Sequence, residues 1–112
     1  MVTEHLSKLG FTVKDVGLKE SYDLDARSLE QHLKVEVKGI TSPGGEILLT
    51  ANEVALHVDS YPDNALGIVH SIALDRSQEL PIASGSVLVF ESPWTVIAEN
   101  LTAMSYRYST GL

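Results

Sequence analysis

Tyr22–Arg27 and Leu33–Lys38 each alternate apolar with polar residues at period two, and a short polar spacer separates them. A helix would scatter such residues around its axis, whereas an extended strand sends alternate side chains to opposite faces, so the pair is expected to form a β-hairpin. Tyr22, Leu24, Ala26, Leu33, Val35 and Val37 then share one face, and Asp23, Asp25, Arg27, Lys34, Glu36 and Lys38 share the other. Keeping apolar residues opposite apolar ones allows two registers. One pairs Asp23 with Glu36 and leaves Ser28–Gln31 as the turn, and the other pairs Asp25 with Glu36.

Either register places acids against acids. Two carboxylates about 5 Å apart on facing strands repel by roughly 3 kcal/mol at an effective dielectric of about 20, a sizeable part of a small domain's stability. Solvation with Arg27, Lys34 and Lys38 as counter-ions is one remedy. The other is a divalent cation, for which clustered carboxylate oxygens are the preferred hard ligands. A lysine two residues beyond an acid then has the chemistry to orient a water or to steady charge on a phosphoryl oxygen, as metal-assisted phosphodiester hydrolysis requires.

The rest of the chain supplies a frame. Val2, Leu6 and Leu9 have helical spacing before Gly10, and Phe11–Val16 alternates as a strand. Thr41–Gly45 has the composition of a turn, and Ile47–Leu49 reads as a short buried strand. Thr50 and Glu53 have the spacing of a capping box that opens a helix to about Tyr61, where Pro62 stops it. Ala65–Leu74 and Ser86–Phe90 read as strands joined by a long polar loop, Pro93-Trp94 opens a segment of ambiguous type, and Met104–Tyr108 alternates again. The expected fold is α+β or α/β: a central mixed sheet flanked by helices, one domain over residues 1–112, and a fragment of a larger protein is compatible with it.

Charge narrows the partners. The chain of 112 residues carries 15 acids and 8 bases, a formal charge of −7, so bulk attraction to a polyanion is excluded. Six of the bases lie within residues 1–38, which locates any phosphate-facing surface in the first third. Cysteine is absent, which removes disulfide and zinc-thiolate frameworks. Neither a signal peptide nor a membrane span is legible, and an intracellular location without membrane contact is expected.

Ser21-Tyr22-Asp23-Leu24-Asp25 followed by Val35-Glu36-Val37-Lys38-Gly39 resembles the D…ExK signature of the PD-(D/E)xK nuclease superfamily. With Leu9-Gly10-Phe11, Leu49-Thr50-Ala51-Asn52-Glu53 and Pro93-Trp94, most of the chain is similar to the "NO VEIN C-terminal" domain, a family of unknown function found in restriction-type and helicase-associated proteins. The resemblance implies a restriction-endonuclease-like fold and Mg2+ or Mn2+ held by Asp23, Glu36 and the Val37 carbonyl, with Lys38 at the attacking water. Asp23, Glu36 and Lys38 would be the catalytic set, with Glu4 of the first helix and Glu53 as auxiliary candidates. Tyr22 stands where the superfamily often has proline.

The implied activity is hydrolysis of DNA phosphodiester bonds by a domain of a restriction, defence or helicase-associated protein, binding DNA weakly unless a fused or partner domain targets it. The alternative is an inactive nuclease-fold module for interaction or DNA binding. Other residues read as structural: Asp25 as a surface neighbour, Glu53 as a cap, Trp94, Tyr106 and Tyr108 as core and sheet packing, and the four scattered histidines as non-catalytic.

Overall fold

The computed structural model describes residues 1–40, 46–75 and 82–112. In chain order the elements are α1 (Val2–Lys8), β1 (Thr12–Asp15), β2 (Leu24–Arg27), β3 (His32–Ile40), α2 (Ala51–Ser60), β4 (Asn64–Asp75) and β5 (Ile82–Glu91), then a 3-10 turn at Ala98–Asn100. The strands form one mixed sheet in the order β1-β2-β3-β4-β5, so the class is α+β with a helix on each face. Among the described residues only β3 and β4 pair in parallel, and α2 makes the crossover that a parallel pair needs.

The hairpin register is the one that sets Asp23 against Glu36. Leu24 faces Val35, Ala26 faces Leu33, and the Ser28 N–H donates to the Gln31 carbonyl at 2.8 Å to close the turn. Alternation then sorts the two faces. Val2 and Leu6 of α1 bury against Leu24, Ala26, Leu33, Val35 and Ala65, with Phe11, Val13, Val37, Val69, Leu88 and Phe90 around them. Gly67 is needed at this contact, because a Cβ there would stand 2.9 Å from Val2 Cγ2. Glu36, Asn64 and Leu66 face the other way, beneath α2, whose buried residue is His57. The capping box at Thr50 and Glu53 forms as the spacing predicts.

Three expectations need correction. Residues 46–50 are irregular and Leu48 is 70% exposed, because β3 and β4 pair with each other and leave this connection outside the ladder. The polar stretch before Ser86 already belongs to β5 from Ile82, since the ladder to β4 runs on to the Asp75–Ile82 pair and backbone hydrogen bonding overrides composition. Met104–Tyr108 joins no strand among the described residues, and Tyr106 and Tyr108 are exposed; alternation makes a strand only where a sheet edge receives it. The Thr41–Gly45 turn lies outside the described residues.

Candidate functional site

Strand β2 leaves the ladder at Asp23 while β3 runs on to Ile40, which opens a notch beside residues 36–40. The last rung is the Asp23 N–H donating to the Val35 carbonyl at 3.0 Å. One step further the Val37 N–H has no strand to meet. It donates instead to Asp23 Oδ2 at 2.8 Å, which fixes that carboxylate at the mouth of the notch. Main-chain groups two residues apart on a strand point the same way, so the Val37 carbonyl faces the notch as Val35's faces β2. A cleft of 380 Å³ between the start of α1 and the sheet reaches Asp23 and Val37.

Glu36 stands beside Asp23 and is fully buried. Neither carboxyl oxygen has a hydrogen-bond partner, an unusual state for a buried polar group and one that costs on the order of 1–3 kcal/mol. Burial above all, then the neighbouring Glu53 and Asp23 carboxylates, push its pKa up to about 10, so it is neutral near pH 7.

Lys38 lies two residues on, on the same face, with Nζ 3.2 Å and 3.4 Å from the two Glu53 oxygens. Glu53 therefore has two tasks. It accepts from the Thr50 N–H at 2.8 Å to complete the helix cap, and it holds the Lys38 ammonium. Burial works against its ionised form, but Glu36, the Thr50 N–H and Lys38 outweigh it and hold the Glu53 carboxyl at about 2.

His57 enters from α2, fully buried, with Nε2 3.8 Å from Glu36 Oε1, beyond hydrogen-bond range. Burial lowers its pKa and favours the neutral ring. Asn64 Nδ2 lies 3.2 Å from His57 Nδ1 and donates to the Trp94 carbonyl at 2.9 Å, while the Trp94 N–H donates to Asn64 Oδ1 at 3.2 Å. The Trp94 ring packs on the imidazole with centroids 4.8 Å apart. Scattered histidine spacing gave no hint of this group; only the parallel crossover brings α2 over Glu36.

Of the residues singled out in the sequence, Asp23, Glu36, Val37, Lys38 and Glu53 come together. Glu4 is exposed in the first turn of α1 and makes no hydrogen bond or ion pair with them. Asp25, expected at the surface, is buried: it accepts from the Tyr22 hydroxyl at 3.0 Å and from Arg27 Nε at 2.8 Å, and it pairs with His32. Tyr22 comes around to the polar side of β2 to make that bond, which alternation alone did not anticipate. Among the described residues no three histidine, aspartate or glutamate groups already stand in metal-holding geometry. Asp23, Glu36 and the Val37 carbonyl offer oxygen donors of the class a hard dication takes, and neither Glu36 oxygen has a hydrogen-bond partner.

No family model, curated protein or solved structure matches the chain.

Proposed function

We propose that the chain is a metal-dependent nuclease domain of the PD-(D/E)xK type, with a restriction-endonuclease-like fold, that hydrolyses phosphodiester bonds in DNA. The carrying observation is Glu36: a buried carboxyl with two unpartnered oxygens, set beside Asp23 and two residues before Lys38. A pure fold-stabilising position would hold an apolar residue there more cheaply.

Asp23 and Glu36 would hold Mg2+ or Mn2+ with the Val37 carbonyl, and the cation supplies Lewis acidity toward the phosphate oxygens. The Val37 N–H keeps Asp23 oriented. Lys38 presents an ammonium to a water or to a phosphate oxygen, and Glu53 fixes where that ammonium sits. The restriction, defence or helicase-associated setting, and a fused or partner domain for targeting, belong to the same proposal.

A second reading, an inactive nuclease-fold module, is favoured by one feature: Lys38 is ion-paired with Glu53 and Glu36 is neutral. Plasmid cleavage with Mg2+ or Mn2+ separates the two. The enzyme reading expects cutting that Lys38→Gln lowers by two orders of magnitude or more without loss of fold, since one positioned acid–base or charge-stabilising group contributes about 10²–10⁴ in rate. A folded wild type that binds the cation yet never cuts single- or double-stranded DNA leaves the interaction module.

A further inference from the structure

Helix α2 covers the sheet face over β3 and β4 but leaves the same face of β1, β2 and the start of β3 open. Register sets two cross-strand rows there, Lys14–Asp25–Lys34 and Thr12–Arg27–His32. Rows two residues apart are about 7 Å from one another and three strands span about 10 Å, a patch the size of a few successive phosphates. Lys14 is exposed, and the Arg27 and His32 side chains are 67% and 43% exposed. A groove of 660 Å³ runs beside them, lined by Gly10, Thr12, Lys14, Arg27, Ser28 and Leu29, with the buried Asp25 also reaching it.

Asp25 is the one acid in this array, and it is already satisfied. Tyr22, Arg27 and His32 all point to it, so it fixes where the Arg27 and His32 side chains sit. Arg27 uses Nε for that bond, which leaves its outer guanidinium nitrogens toward solvent. Lys34 Nζ is held 5.7 Å above the Tyr22 ring. Counting Lys14, Arg27 and Lys34 against Asp25 and leaving His32 out, the array is 3 − 1 = +2, inside a chain of −7. A locally cationic, hydroxyl-lined groove on an acidic protein selects a linear array of anions over a lone diffuse charge.

We propose that this face of β1–β3 binds the phosphodiester backbone of a nucleic acid and leads it along β2 from Arg27 toward Asp23. The proposal supplies a partner surface for the site described above but does not require that site to be active. Binding is therefore measured in EDTA, where no cleavage occurs, by fluorescence anisotropy of labelled 20-mer duplex and single-stranded oligonucleotides.

Each phosphate contact contributes a slope of about −0.9 on duplex or −0.7 on single strands in log K against log salt, hence about tenfold in affinity at 0.05 M salt. The expected slope is about −3. Lys14→Gln/Arg27→Gln should weaken binding by up to about a hundredfold and reduce the slope by nearly 2, whereas Lys8→Gln/Lys19→Gln, with the same change in net charge, should leave both within about twofold. The tighter oligonucleotide identifies the strandedness.

Equal weakening by both double variants, wild-type binding indifferent to salt, or equal binding of polyglutamate would overturn the proposal. Circular dichroism checks that the Arg27 variant folds, and Lys14→Gln/Lys34→Gln repeats the test without touching the Asp25 bond. Failure of the nuclease reading looks different: Glu36→Ala would change nothing in cation titrations while oligonucleotide binding persisted.

Discussion

Glu36→Gln should make the protein more stable, and by an amount that depends on pH. The wild-type carboxyl ionises near 4.5 when the chain is unfolded but only at about 10 in the fold, because burial and then the Glu53 and Asp23 carboxylates oppose its charge. Its folded pKa is raised, so its favourable contribution is complete below pH 4.5 and is lost as pH rises toward 10. Each pH unit in that window favours the unfolded chain by about 1.4 kcal/mol. From pH 4.5 to about pH 7 the loss is about 3 kcal/mol. Glutamine fills the same volume and never ionises. Urea unfolding followed by Trp94 fluorescence should show the variant about 2–3 kcal/mol more stable near pH 7, a rise in Tm of 10 °C or more, and within about 1 kcal/mol of wild type near pH 4. A variant that is less stable near pH 7, or whose advantage is the same at both pH values, would mean that Glu36 is already ionised and compensated, and the reasoning fails. Stabilisation together with loss of cation binding would mark a residue kept for a task other than folding.

Three further outcomes follow from the same geometry. Cation binding must displace the Glu36 proton, so calorimetry in two buffers of different ionisation enthalpy should report about one proton released, with affinity rising up to tenfold per pH unit below 10. Burial alone would raise the Asp25 carboxyl, but hydrogen bonds from His32, Arg27 and Tyr22 hold it at about 2; its stabilisation is present above pH 3.8 and fades as pH falls through 2, and Asp25→Asn should cost about 1–3 kcal/mol near pH 7 in urea unfolding. Gly67→Ala should cost about 1–3 kcal/mol and loosen α1, seen as faster amide exchange at Leu6, because the new methyl meets Val2 at 2.9 Å.

Local chemistry made much of this molecule legible. The alternating segments Tyr22–Arg27 and Leu33–Lys38 became β2 and β3, and one of the two registers they allowed is the one observed. The Thr50–Glu53 capping box formed at the predicted residues. Acid spacing on the hairpin was enough to pick out Asp23, Glu36 and Lys38 as neighbours, since period two leaves them no other face. Among the described residues no helix is long and apolar enough to cross a membrane, as the short apolar runs implied.

Legible from residue order alone is whatever depends on spacing along one or two strands: which residues alternate, where a helix starts, and which acids share a face. How deeply those acids are buried, and what lies over them, is set by the assembled sheet and its crossover helix. The parallel pairing of β3 with β4 brings α2 across the sheet, sets His57 over Glu36 with Asn64 and Trp94 packed against the imidazole, and sets Glu53 against Lys38. The same event excludes water from Glu36, and exclusion of water is what raises its pKa. Asp25 was misread for the matching reason: a carboxylate at a surface position of the pattern becomes buried once a tyrosine, an arginine and a histidine from neighbouring positions close over it. Desolvation depends on which side chains the folded chain closes over a carboxylate, and no period in the sequence records them.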